Sequence, residues 1–162
     1  MEAIVAVSGL ILGKEMVVQS ISSTSTSILK SVKSITDNYD NETKKLFEKL
    51  DIKFKLDIIA SFIENIHNDN ISNNNSNSNN NSNNNSSNAK ITTVEHCINY
   101  IKDIMDCIEK EVKLLEEEIT VYKSKWLGNL SYRQFKDQFE KIRTHVSVLD
   151  NRFDILIKIL KL

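Results

Sequence analysis

Proline is absent from this sequence, and glycine occurs only three times among 162 residues. Both residue types interrupt regular secondary structure, proline because it lacks a backbone N–H and glycine because its backbone is unusually free. Their scarcity argues against a fold with many short elements and turns. It favours a few long helices joined by few turns.

An excess of charge of one sign is also lacking, because 21 basic and 22 acidic residues give a net charge of −1. The balance holds locally: residues 1–66 carry eight basic and nine acidic residues, and residues 91–162 carry twelve of each. Proteins that bind nucleic acid usually concentrate basic residues on one face. We therefore predict no nucleic-acid partner and no general attraction to acidic membranes.

Only two cysteines are present, Cys97 and Cys107. Ten residues along one helix separate them by about 15 Å, which is too far for a disulfide bond. Their spacing also does not match a zinc-binding motif. We predict two buried thiols in a reducing compartment.

A long hydrophobic run is missing as well. The apolar N-terminal segment Ala3–Leu12 is too short to cross a bilayer, and Glu2 and Lys14 on its two sides do not fit a signal peptide. We therefore predict an intracellular, cytoplasmic protein. Gly9 and Gly13 form a G-x-x-x-G pattern that we assign to close helix packing in a bundle. The alternative is that Ala3–Leu12 lies in a membrane surface.

The strongest positive feature is an apolar stripe in the C-terminal half, where hydrophobic residues recur at alternating spacings of three and four. Its members are Ile91, Val94, Ile98, Ile101, Met105, Ile108, Val112, Leu115, Ile119, Tyr122 and Trp126. Such spacing keeps side chains on one helix face and predicts a helix over about 93–127. A second row, seven residues apart, consists of Tyr100, Cys107, Leu114 and Val121. The resulting wide face suits a bundle in which the helix contacts two neighbours.

A turn and a second long helix follow this stripe. Gly128 can end the first helix, and Ser131 with Gln134 forms a capping box for the next. The next helix is predicted over about 132–160. Its apolar stripe is Phe135, Phe139, Ile142, Val146, Leu149, Phe153, Leu156 and Leu160. A short connection makes the two helices antiparallel neighbours, with Trp126 in the core near the turn.

The N-terminal half follows a less regular helical pattern, which Lys14 and Ser25 interrupt. Its apolar residues are Ile4, Val7, Ile11, Val18, Ile21, Ile28, Val32 and Ile35. We predict a turn at Asp37–Asn41. A second helix is expected over about 42–66, with two apolar rows that imply burial on two sides.

Residues 67–90 are nearly all Asn and Ser. A segment with so little apolar surface cannot offset its own ordering entropy, so we predict a disordered linker. The alternative is an assembly-prone, prion-like tract. The predicted fold is all-α: two long antiparallel helical hairpins, residues 1–66 and 91–162, that form a four-helix bundle or a coiled-coil-like assembly.

No pattern of catalytic, cofactor-binding or metal-binding residues is evident. His96 and His145 fall on different helices, and we interpret them as solvated. Glu116, Glu117 and Glu118 are consecutive, so on a helix they point in three directions and do not converge on a metal. We predict no metal, no cofactor, no small-molecule substrate and no enzymatic activity.

Two segments, Tyr122–Leu127 and Leu149–Leu156, resemble small uncharacterised helical proteins of large DNA viruses that infect amoebae. Leu50–Lys53 and the glycine-containing N-terminus are similar to the same proteins. Those proteins often have Trp-Phe where this chain has Trp126-Leu127. The resemblance covers most of the chain outside the Asn/Ser tract. It implies a viral origin and a virion or host-cytoplasm location, but no activity.

The wide apolar helix faces lead to a functional hypothesis. We predict a non-enzymatic helical interaction or scaffold protein that acts through these faces, by self-association or by binding partner helices. The alternatives are a peripheral membrane-associated protein that uses Ala3–Leu12, or a minor structural component of a virion.

Overall fold

The computed structural model describes residues 2–38, 41–76, 84–124 and 135–161, with side chains described over 15–38, 41–68, 92–124 and 135–161. The described residues are α-helical except Asp51 and Phe135. The helices are α1 (Glu2–Asn38), α2 (Asn41–Leu50), α3 (Ile52–Ser76), α4 (Asn84–Ser124) and α5 (Lys136–Lys161). The all-α prediction is confirmed.

The two C-terminal helices form an antiparallel pair, as predicted. Arg152 of α5 donates a hydrogen bond to the carbonyl oxygen of Tyr100 in the first half of α4. Farther along α4, Lys141 Nζ of α5 lies 3.9 Å from Glu111 Oε2. Residue numbers that rise along α4 therefore fall along α5.

The N-terminal helices lie beside this pair and complete the bundle. Thr24 of α1 contacts Asp106 of α4, and Asn38 accepts a hydrogen bond from Lys123. The residue numbers differ by 82 in the first pair and by 85 in the second. Residue numbers therefore rise together along α1 and α4, and the two helices run parallel. The bundle closes because α1 also packs against α3, and α3 packs against α5. The ring contact of Phe62 with Phe153, 5.4 Å between centroids, joins α3 to α5.

The core forms where the predicted stripes meet. The C-terminal stripes are buried along most of their length, because burying large apolar side chains is the main favourable term in folding. The buried members of these stripes are Val94, Ile101, Met105, Ile108, Val112, Leu115, Ile119, Phe135, Phe139, Ile142, Val146, Leu149 and Leu156. Tyr122 is 38% exposed, whereas Ile91 and Trp126 lie outside the described side chains.

Asp51 interrupts the segment 42–66, so the prediction of one continuous helix over these residues is wrong. Its φ angle of 49° lies in the left-handed region, which aspartate tolerates better than most residues. Its N–H donates to the carbonyl of Glu48, and its carbonyl accepts from the N–H of Lys55, both at 3.1 Å. The break divides the segment into α2 and α3.

The predicted linker is helical at both of its described ends. Helix α3 extends to Ser76, and α4 begins at Asn84, so both enter the Asn/Ser tract. Asn and Ser cost only about 0.5–0.7 kcal/mol per helical position relative to Ala, and an established helix can therefore propagate into them. The rest of the predicted disordered linker, residues 77–83, lies outside the described residues, as do the predicted caps at Gly128, Ser131 and Gln134.

Candidate interaction surface

Four residues spaced seven apart form an exposed apolar line along α4, and we call them the outer row. Tyr100, Leu114 and Val121 are 56%, 40% and 48% exposed, and Cys107 is exposed as well. The sequence predicted a wide face buried against two neighbours. Helix α4 does contact two neighbours, α1 and α5, but neither of them covers the outer row.

The geometry of the helix explains this exposure. Tyr100, Cys107 and Leu114 each precede a fully or nearly fully buried residue by one position. One position corresponds to a rotation of about 100° around a helix, so the outer row lies on the flank of the buried stripe. From Tyr100 to Val121 the row extends about 31 Å at 1.5 Å per residue.

Helix α5 marks one edge of this surface. The guanidinium of Arg152 lies 5.7 Å from the centroid of the Tyr100 ring, within the range of a cation–π interaction. Ile155 follows Arg152 by three residues, so it lies on the same side of α5. It is 50% exposed and adds exposed apolar area on this side of α5.

A row of polar and charged residues accompanies the outer row, and we call it the charged row. It consists of His96, Asp103, Lys110 and Glu117, all exposed. Each member of the charged row precedes a member of the outer row by four residues: His96 precedes Tyr100, Asp103 precedes Cys107, Lys110 precedes Leu114, and Glu117 precedes Val121. The two rows are therefore adjacent on the helix surface. Among the described residues, these four side chains form neither a hydrogen bond nor an ion pair within 4 Å.

The opposite flank of α4, which faces α1, is polar and partly buried. Thr24 Oγ1 donates to Asp106 Oδ1 at 3.3 Å, and Lys102 Nζ donates to Asp106 Oδ2 at 2.6 Å. The hydrogen bond with Asp106 raises the pKa of Lys102 above its ordinary value, although burial opposes this effect. Among the described side chains of α1, three with hydroxyl groups are buried, namely Thr24, Ser25 and Ser31.

Glu109 connects α4 to α1 one turn farther along. A hydrogen bond from Lys113, at 2.7 Å, and a second from Ser27 hold the pKa of Glu109 below its ordinary value, against the opposing effect of burial. Both bonds favour the ionised carboxylate. The carboxylate therefore acts as an acceptor between two helices.

A shallow cleft of about 240 Å³ lies between the C-terminal ends of α1 and α4. Its lining includes Ser34 and Asn38 from α1 and Glu116, Thr120 and Lys123 from α4. Lys123 is already engaged, since its ammonium donates to the carbonyl of Asn38. Its described lining holds one carboxylate, one ammonium group and two hydroxyl side chains, and neither histidine nor cysteine is among these residues.

The remaining candidate groups do not converge. His96 is exposed and His145 half-buried. The antiparallel pairing of α4 with α5 brings His145 level with the region of Cys107, about 16 Å along the axis from His96. Among the described residues, no group of three or more His, Cys, Asp or Glu side chains could hold a metal ion.

The prediction of two buried thiols is wrong for Cys107, which is exposed. Cys97 is half-buried rather than fully buried. Cys107 was expected in the core because it widens the apolar face, but its position places it on the outer row. The sequence signal that could have indicated this is the charged row, which runs beside the outer row along its whole length.

Other predictions fall outside what the structure describes. The side chains of Ala3–Leu12 are not described, so membrane association through this segment stays a prediction. Within the described part of the chain, no helix combines the length and apolar character that crossing a membrane requires. Trp126 also lies outside the described residues.

Comparison with protein-family models, with curated proteins and with solved structures gives no match to this chain. The resemblance to helical proteins of amoeba-infecting viruses therefore stays a prediction, and so does the virion location that it implies.

Proposed function

We propose that this protein is a non-enzymatic helical interaction protein whose binding surface is the outer row of α4. The observation that carries this proposal is the exposure of Tyr100, Leu114 and Val121, between 40% and 56%, at a strict seven-residue spacing. Single exposed apolar side chains are ordinary on protein surfaces. A row of exposed apolar side chains along one helix is less common, and such exposed apolar surface favours an interaction site.

The shape of the line indicates the kind of partner that fits it. A seven-residue repeat remains on one side of a helix over three helical turns and more, which is the contact geometry between two packed helices. The line is narrow and flanked by charged side chains, so it suits a helix rather than a small molecule in an enclosed pocket.

A second exposed apolar pair on α3 provides a natural comparison. Phe54 is 59% exposed and Ile58 is 40% exposed, and they are four residues apart. Two residues form a patch of one helical turn, whereas the outer row extends along most of the described part of α4. The outer row is therefore the larger candidate.

The test is an affinity-capture experiment that compares the intact chain with Leu114→Glu and Val121→Glu. We expect both variants to lose bound helical partners, including further copies of the chain, because a charge in the apolar line must be desolvated on binding. Phe54→Glu makes the same chemical change on α3 and should retain them. Equal retention by all four proteins would contradict the proposal.

A further inference from the structure

We infer that the partner of the outer row is the outer row of a second copy, with the two α4 helices antiparallel about a two-fold axis near Cys107. This inference rests on the proposed function and names the partner of that surface. Two-fold contacts use the same surface on both chains, so the surface must be complementary to itself. The charged row provides the evidence for that complementarity.

A parallel arrangement about a two-fold axis along the helices makes no use of the charged row. The charged row lies to one side of the outer row, and such an axis places it on the opposite side of the interface in the second copy. The two charged rows then do not face each other, so none of their charges is paired. An antiparallel arrangement keeps both charged rows on the same side of the interface.

The antiparallel arrangement about Cys107 gives the charged row favourable partners. Residues whose numbers sum to about 213 then face each other. Asp103 faces Lys110 of the second copy, which carries the opposite charge, and the imidazole of His96 faces the Glu117 side chain of the second copy, to which it can donate a hydrogen bond. The two-fold axis repeats both pairs, which gives four contacts in total. In the apolar line, Tyr100 faces Leu114 of the second copy and Cys107 faces itself.

A second antiparallel register places the two-fold axis near Leu114. It pairs Lys110 with Glu117 of the second copy and Leu114 with itself, but it leaves Asp103 opposite Ser124. The register about Cys107 uses all four members of the charged row, whereas the register about Leu114 uses only two. Exposed ion pairs contribute little affinity, but they select the orientation and register of packed helices. They therefore favour the register about Cys107 over the register about Leu114.

The first experiment measures the solution mass by light scattering and sedimentation over a wide concentration range. We expect a concentration-dependent species of twice the 18.6 kDa chain mass. Asp103→Lys or Lys110→Asp alone should raise the dimer dissociation constant by about tenfold, because each replaces two attractive pairs with two repulsive ones. The double variant Asp103→Lys/Lys110→Asp should restore dimerisation.

Lys53→Asp on α3 is the matched control, because Lys53 is exposed and lies off the proposed surface. It should leave the dissociation constant unchanged. Failure of the double variant to restore dimerisation would overturn the antiparallel register about Cys107. In the register about Leu114, Asp103→Lys would have almost no effect, and this result would overturn the inference as well.

The second experiment uses the exposed thiol as a position marker. A short bifunctional maleimide joins two thiols that lie close together, and we expect it to convert the protein to a covalent dimer through Cys107. Cys107→Ser should abolish this product, while Cys97→Ser should retain it. If the product persists in Cys107→Ser, or never forms, the axis does not lie near Cys107.

The outcomes also separate this inference from the proposed function. A chain that remains monomeric at all concentrations, yet binds partners that Leu114→Glu no longer captures, would overturn the second copy as partner and leave the interaction function standing. A monomer whose bound partners are the same with and without Leu114→Glu would overturn both.

Discussion

Helix α4 packs against two neighbours, and the two contacts are built from different side chains. The buried side chains of α5 are all apolar: Phe139, Ile142, Val146, Leu149 and Leu156. Among the side chains described for it, residues 15–38, helix α1 instead buries three isoleucines and three hydroxyl residues, and it reaches α4 through hydrogen bonds to Asp106 and Glu109. The contact with α5 buries only apolar side chains of α5, although Gln138 and Arg152 also donate hydrogen bonds to α4. Helix α1 combines buried apolar side chains with buried hydroxyl side chains.

The two contacts are expected to contribute unequally to the free energy of unfolding of the bundle. Burial of large apolar side chains contributes on the order of 1.5–3 kcal/mol per residue. A hydrogen bond between partly exposed groups contributes about 1 kcal/mol, because water competes for both partners. We therefore expect α4 and α5 to form the more stable half, with α1 held less strongly.

The largest expected effect comes from a charge in the apolar stripe of α4. Leu115 is fully buried, so Leu115→Asp should lower the free energy of unfolding by about 4 kcal/mol or more, since an unpaired buried charge is strongly unfavourable. Leu114→Asp, one position away and 40% exposed, should lower it by less than about 1 kcal/mol. Urea unfolding followed by circular dichroism measures both, and equal losses would show that the two rows are not distinct.

The next effect tests the apolar side of the comparison. Phe139 is 1% exposed and its ring lies 5.7 Å from that of Phe47. Phe139→Ala should cost about 3–5 kcal/mol, because it removes apolar area and leaves a cavity. The exposed ring of Phe54 is the control, and Phe54→Ala should cost less than about 1 kcal/mol in the same urea titration.

A smaller effect is expected on the α1 side. Thr24→Val removes the hydroxyl that donates to Asp106 but keeps the shape of the side chain, and it should cost about 1 kcal/mol or less. Thr26→Val is the control, since the Thr26 hydroxyl donates only to the carbonyl of Ser22 within α1 among the described residues. A loss at Thr24 as large as that at Phe139 would reverse the comparison.

The smallest effect depends on pH and tests the hydrogen bonds between α1 and α4. The depressed pKa of Glu109 means that the folded state favours its ionised form, so its contribution is present above about pH 4.5 and is lost as the pH falls below that value through the folded-state pKa. The melting temperatures of the intact chain and of Glu109→Gln should differ at neutral pH and converge in acid. A constant difference across this range would exclude the carboxylate as the cause.

The sequence predicted the apolar contacts of the bundle well. The stripes of α4 and α5 follow the helical period without interruption, and large side chains at that period have few other stable arrangements. The contact of α1 with α4 could not be predicted in the same way. Ser25 was treated as an interruption of the stripe, yet it is 5% exposed, because its small side chain needs little space between packed helices.

The candidate surface could be predicted only in part. The seven-residue spacing of Tyr100, Cys107, Leu114 and Val121 was evident, and it placed them correctly on one line. Their exposure was not, because periodicity defines the width of an apolar face but not how much of that face the neighbouring helices cover. That quantity depends on where α1 and α5 pack around α4.

The left-handed backbone at Asp51 changes which apolar face of α3 lies on the same side as the apolar face of α2. In an unbroken helix, Phe54 and Ile58 would follow Phe47 on one face, and Ile52 would be rotated away from it by about 140°. The break reverses that choice: Ile52, Leu56 and Ile59 enter the core, and Phe54 and Ile58 remain exposed. One backbone angle thus decides which of two alternative apolar faces of α3 the protein uses, and the unused face remains on its surface.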